Sequence, residues 1–206
     1  MNPVNKEGIL ISLRENRKKE LKEEIYHQSI RLFKERGYEN VTVEEITTTC
    51  GIAKGTFYNY FPHKEHILLH LGEAQFEVLE ESIARHAGEK DLPQYLRLIF
   101  KDLMARVYQE PDLLKETLLE IIRCSLWEME LKSSIATLGK HLVPIIEVAI
   151  QNGQIRPDWK ANQISDLLIG IYFHTIITWL AQPEAGDLYT IFSDYFDLLW
   201  LGLKQP

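Results

Sequence analysis

A chain of 206 residues that is 45% hydrophobic and 26% charged has the make-up of a globular protein, built as one large domain or a small domain fused to a larger one. A net charge of −7 argues against a uniformly basic nucleic-acid binder, and two cysteines leave no disulfide framework or Cys-rich metal site, which fits a reducing cytoplasm. The average hides an asymmetry: from Arg14 to His66 ten Lys/Arg stand against nine Asp/Glu, whereas from Ile67 onward twelve stand against twenty.

Near the N-terminus "ILISL" is too short for the apolar region of a signal peptide and has charges on both sides. From there helical periodicity dominates and no alternating strand pattern occurs. The first helix is expected through "RKKELKEEIYHQSIRLFKERG", with Leu21, Ile25, Ser29, Leu32 and Phe33 on one face and Gly37 as its stop. Thr42 and Glu45 have the spacing of a capping box for a second helix, and Val41 and Ile46 that of a hydrophobic staple. That helix is short and ends at Gly51. A third covers Lys54 to about Phe61 and is closed by Pro62, and a long fourth runs from about His63 to Ala87.

Asp91 with Gln94 caps a fifth helix, and Pro111 suits the first position of a sixth. A seventh spans Lys132 to Gln151. Two apolar helices, Asn162 to Leu180 and Asp187 to Leu203, follow on either side of the breaker run "QPEAG". The expected fold is all-α: a three-helix head over residues 15–71, with a helix-turn-helix at about 42–61, and a bundle of about six helices over residues 72–206. The apolar run "LLIGIYFHTIITWLA" falls short of the roughly 20 residues a membrane span needs, so no membrane partner is expected.

"GIAKGTFYNYFPHKE" raises the functional question. Two short helices joined by "CGIA" after a longer supporting helix have the layout of a helix-turn-helix, whose second short helix enters the DNA major groove. Phe57 and Phe61, at i and i+4, form the inward stripe. Lys54, Thr56, Tyr58, Asn59 and Tyr60 are left around the rest of the helix, and Gly55 lets the backbone approach phosphate closely. Tyrosine, threonine and lysine are phosphate-contacting types, and Asn pairs bidentately with adenine. Lys64, read as lying in the first turn of the fourth helix, is a cation where the helix dipole disfavours one, and a bound phosphate resolves that conflict.

The segment "YENVTVEEITTTCGIAKGTFYNYFPHKEHIL" resembles the DNA-binding signature of the TetR family of bacterial transcriptional regulators. The resemblance carries a Thr-capped second helix, an Ala-Gly-Val-type turn, a "KGTLYxHF"-like helix and Pro-x-Lys, over about Arg17 to Leu71. Position by position it implies that Thr42, Tyr58 and Lys64 touch phosphates, while Lys54, Gly55, Thr56, Asn59 and Tyr60 face the groove. Ala53 stands where the family often has a capping Ser, a loss of about 1 kcal/mol. Beyond the motif only helix count and length match.

Most of the aromatic residues lie in the C-terminal part. Phe100, Met104, Tyr108, Trp127, Tyr172, Phe173 and Trp179 are candidate lining for a cavity, with His174 as an orienting group. Each also reads as plain core, and His174 as a core histidine. The resemblance implies a small effector there that lowers DNA affinity. Apolar residues nearly encircle the last two helices, and a helix apolar on all sides must be covered on all sides. Ile164, Leu168, Ile171, Leu188, Ile191, Phe192, Tyr195, Phe196 and Leu199 are therefore the expected interface of a homodimer, whose two-fold axis matches a palindromic operator.

Other constellations are weak. His63, His66 and His70 share a helix face without a fourth ligand, so no metal or other cofactor is expected. No phosphate loop, HExxH or nucleophile elbow occurs, and Asp102 and Glu120 read as helix-surface charges. A helical-bundle enzyme or a protein-interaction adaptor remain the alternatives to a cytoplasmic, ligand-responsive repressor.

Overall fold

The computed structural model describes residues 4–107, 113–120, 131–182, 184 and 186–203. Its regular elements are helices, with no β-strand element among the described residues. They are α1 (Val4–Arg36), a 3-10 turn (Tyr38–Asn40), α2 (Val43–Cys50), α3 (Lys54–Tyr58), α4 (Glu65–His86) and α5 (Leu92–Val107). After them come α6 (residues 113–120), α7 (Leu131–Gln151), α8 (Ala161–Ala181) and α9 (Leu188–Leu203). Internal contacts divide the chain into two compact units, Met1–His70 and Leu71–Pro206. Pro111, expected to open α6, and Cys124 lie outside the described residues.

α1 starts well before the expected Arg17. No proline follows Val4 until Pro62, and Gly8 alone costs a helix only about 1 kcal/mol, so nothing stops it before Gly37. There the chain turns: Gly37 takes φ +82° and its amide donates to the Phe33 carbonyl at 2.8 Å. The N-terminal unit closes around Ile25, Phe33, Val41, Ile46, Phe57 and Phe61, all buried. Ser29, also buried, satisfies itself by donating to the Ile25 carbonyl at 2.7 Å.

The C-terminal unit has one apolar core, shared by α5, α7, α8 and α9. Phe100 of α5 stacks on Phe192 of α9 at 4.8 Å between centroids and meets Tyr172 of α8 at 5.8 Å. Arg97 ties α5 to α9: its guanidinium donates to Ser193 Oγ and to Asp197, and lies 4.6 Å over the Phe196 ring. α8 corrects one expectation. At 21 residues it is long and apolar enough to cross a bilayer by length and composition. It packs instead against α7 and α9, with Ser165 and Thr175 buried and the Thr175 hydroxyl donating to the Ile171 carbonyl.

Neither Asp102 nor Glu120 is a free surface charge. Glu120 is buried. Asp102 Oδ2 accepts from Ser82 Oγ at 2.8 Å and Arg85 Nη1 at 2.9 Å, and sits 3.0 Å from His86 Nε2, so one oxygen of α5 binds the end of α4. Partial burial pushes this carboxyl's pKa up, but the hydrogen bonds from Ser82 and His86 and the charge of Arg85 outweigh it, and the net position is below the ordinary value. A carboxylate depressed by folding stabilises the fold above its unfolded pKa, and that contribution is lost as pH falls through the folded one. Asp102 should therefore stabilise the protein at neutral pH and progressively less below about pH 4. Asp102→Asn should lower the urea midpoint at pH 7 and flatten the decline between pH 5 and 3; an unchanged acid profile would remove Asp102 from that role.

Candidate nucleic-acid interface

α2 is fixed at both ends by local chemistry. The Thr42 hydroxyl accepts from the Glu45 amide at 3.2 Å, and Glu45 Oε2 accepts from the Thr42 amide at 2.8 Å. The same oxygen accepts from the Thr42 hydroxyl, and Arg36 holds Oε1 at 3.0 Å. Hydrogen bonds from the Thr42 backbone and then its side chain lower the Glu45 pKa, ahead of a smaller contribution from Arg36. Both donors of Thr42 are thus engaged by Glu45, so a phosphate contact through Thr42 requires opening the capping box. At the other end Gly51 adopts φ +65°, and its amide reaches the Thr48 carbonyl.

α3 has no side-chain cap, as Ala53 implies. Phe57 and Phe61 are buried with their centroids 5.9 Å apart and hold the helix from behind. Lys54, Gly55, Tyr58 and Asn59 are exposed, and Thr56 and Tyr60 are half-buried. The structure thus places the groove-facing candidates around one anchored turn and a half of helix. Gly55 sharpens this: a Cβ built there meets no atom within 4 Å. Gly55→Ala should leave the fold intact or up to about 1 kcal/mol more stable, yet reduce DNA affinity by about tenfold, or 1.4 kcal/mol, if backbone meets phosphate there. Unchanged affinity in a mobility-shift titration would show that nothing approaches Gly55.

Lys64 is placed differently from its expectation. It precedes α4 rather than lying in its first turn. Its ammonium donates to the Tyr38 carbonyl at 2.9 Å and the Val41 carbonyl at 3.0 Å, and lies 4.1 Å from the Tyr38 ring centroid. Its first partners are therefore within the protein. His63 and His66 are ring neighbours at 5.6 Å, while His70 turns to Tyr26, Phe61 and Glu23. No group of three metal-ligating side chains is found among the described residues.

In the C-terminal unit the expected cavity lining and the expected interface fall together. Phe100, Met104 and Tyr172 are buried in the same core as Ile164, Leu168, Leu188, Phe192 and Phe196. Those five interface candidates are consumed by their own chain, because α5 and α7 already cover them. Ile171, Ile191 and Leu199 are half-buried and Tyr195 is exposed. The outward apolar stripe consists of Leu167 and Ile177 on α8 with Tyr195, Leu198 and Leu201 on α9. His174 belongs to this outer face and not to the core: it is exposed, with its ring edge-on to Tyr195 at 5.1 Å. Phe173 and Trp179 are half-buried. Tyr108 and Trp127 lie outside the described residues. A groove of about 600 Å³ lies elsewhere, lined by Leu92 and Tyr95 of α5 and Pro144, Ile145 and Val148 of α7, none of them singled out by composition. The sequence signal that was available is Pro144, a helix-interior proline.

A capped α2, a tight glycine turn and a short α3 anchored by two phenylalanines and exposing polar groups define a helix-turn-helix DNA-binding regulator. Residues 25–71 match the family model of the bacterial regulatory proteins of the tetR family. The chain is 27% identical over 190 residues to the fatty acid metabolism regulator protein of Bacillus subtilis (strain 168), covering 88% of this chain and 95% of that one. It is 25% identical over 200 residues to the HTH-type transcriptional repressor BepR of Brucella suis, covering 91% and 93%. The crystal structure of Thermus thermophilus FadR, a TetR family repressor in complex with lauroyl-CoA, superimposes with a TM-score of 0.70 at 25% identity, covering 87% of this chain and 93% of that one. Residues 25–71 thus carry the DNA-binding region of the TetR family, and over most of its length the chain is similar to transcriptional repressors, one of them a TetR family member.

Proposed function

We propose that this regulator is a cytoplasmic homodimer that represses genes by binding a palindromic operator, and that a molecule with a long apolar chain releases it. The DNA-binding domain in this reading is residues 15–71 and the effector and dimerisation domain residues 72–206. The observation that carries DNA binding is α3: Lys54, Tyr58 and Asn59 exposed around a bare Gly55, on a helix held by buried Phe57 and Phe61. Lys54, Thr56, Asn59 and Tyr60 are taken as groove-facing and Tyr58 as a phosphate contact. A mobility shift on the duplex upstream of the gene, titrated with salt, tests it; no shift at low salt would refute it.

Support for an apolar effector comes from the core around Phe100, Met104 and Tyr172, and from the lauroyl-CoA bound by the Thermus thermophilus relative. These side chains are packed against one another, so a ligand that enters among them must select a different arrangement. That difference is what coupling requires, since a ligand shifts an equilibrium only by its differential affinity for the two states. Lauroyl-CoA should weaken operator binding by about 5–150-fold, and operator should weaken lauroyl-CoA binding by the same factor. Calorimetric titration with and without duplex measures both arms. Equal affinities would make lauroyl-CoA a bystander, and laurate and free CoA run in parallel separate the chain from the headgroup. The second copy is expected on the stripe of Leu167, Ile177, Tyr195, Leu198 and Leu201, where one face meets itself about a two-fold axis.

A further inference from the structure

α1 extends beyond the part of the N-terminal unit that it helps to pack, and beyond the family match, which begins at residue 25. At about 100° per residue, Arg14, Arg17, Lys18 and Lys22 fall with Leu21 on one arc of roughly 140°. This is the arc that carries the buried Ile25, Ser29 and Leu32 one to four turns later. Glu15, Glu20, Glu23 and Glu24 all lie outside it. The face of α1 that is apolar where it meets the other helices thus becomes basic where it overhangs them. Arg14, Arg17 and Lys18 are exposed, and none forms an ion pair with a carboxylate among the described residues. Lys22 ends the row next to the helix-turn-helix: its ammonium lies 5.6 Å from the ring centroid of Phe61, the residue that anchors α3 from behind.

From this geometry we propose that the basic face of α1, Arg14 to Lys22, is a second DNA-contacting surface that binds the phosphate backbone flanking the site occupied by α3. The proposal rests on the DNA-binding reading above. A solvated helix has no reason to segregate its charges, and a surface meant for a basic or neutral partner has no reason to remove every carboxylate from one face. The row from Arg14 to Lys22 is about 12 Å long; one strand of duplex presents a phosphate every 3.4 Å or so, so about three or four phosphates can face it. Contacts of this kind strengthen binding and set its register without reading sequence.

The test compares Arg14→Gln/Lys18→Gln with wild type on the upstream duplex between 50 and 200 mM salt. Two lost phosphate contacts should reduce the slope of log affinity against log salt by about 1.8, so wild type should lose roughly twelvefold more affinity than the variant over that range. Base preference in a randomised-site selection and thermal unfolding should be unchanged, because both side chains are exposed. Lys19→Gln, on the carboxylate-bearing arc, is the control and should keep the wild-type slope. A double variant with the wild-type slope would overturn the proposal, as would an equal loss in the Lys19 variant. Wild type that fails to bind any duplex would instead sink the DNA-binding reading itself.

Discussion

Phe192→Asp is expected to leave no folded protein, whereas Leu198→Asp is expected to leave a folded monomer. The two residues lie less than two turns apart on α9 and are both apolar, yet their surroundings are opposite. Phe192 is fully buried, stacked on Phe100 and in contact with Phe196. Removing the ring costs about 3–5 kcal/mol, and an unpaired carboxylate left in that core adds several more. Together they are comparable to the roughly 5–15 kcal/mol that holds a typical domain folded. Leu198 is 68% exposed in the single chain, so a carboxylate there costs the monomer little. In a dimer across the outer stripe it would be buried without a partner, at about 3–5 kcal/mol, weakening association by about a thousandfold. Sedimentation and circular dichroism separate the outcomes: an insoluble or unfolded Phe192 variant beside a helical, monomeric Leu198 variant. A Leu198→Asp dimer as tight as wild type would move the interface off this stripe.

That contrast marks where sequence stops being informative. Features set within a few residues were readable: the Thr42–Glu45 box, the helix stop at Gly51, the uncapped Ala53 and the Phe57–Phe61 stripe all depend on neighbours at i+1 to i+4. Periodicity located most helices for the same reason. It failed on α8 and α9, because apolar residues nearly all round a helix carry no directional information. On α9 the inward side was decided by Phe100 and Arg97, about 90 to 100 residues away on α5, and on α8 by α7 and by Phe100 against Tyr172. His174 went to the wrong side for that reason, and Asp102 was misread because its partners Ser82, Arg85 and His86 lie on another helix. The start of α1 was missed for want of a marker, since nothing in "NKEGILISLREN" punctuates the chain.

Lys64→Ala is expected to destabilise the N-terminal unit before it affects any phosphate. The sequence made this residue a phosphate ligand, on the argument that the helix dipole disfavours a cation at a helix start unless an anion is bound there, and on the family resemblance. The partners exist 23 and 26 residues earlier: the carbonyls of Val41 and Tyr38, with the Tyr38 ring under the ammonium. The lysine thereby joins the start of α4 to the turn that enters α2, next to the Thr42 cap. A hydrogen bond to a charged group contributes about 1.5–3 kcal/mol; with the site part-exposed, losing two of them should cost about 2–4 kcal/mol in all. DNA affinity should then fall together with stability, and lowering the temperature should recover part of it. Tyr58→Phe offers the contrast, since Tyr58 is exposed and removing its hydroxyl should weaken DNA binding uniformly across sequences at unchanged stability. Thermal unfolding and operator binding measured on both variants decide the matter. Should Lys64→Ala keep the wild-type melting temperature while its salt slope drops by one, the ammonium must leave its two carbonyls for DNA, and the phosphate role stands.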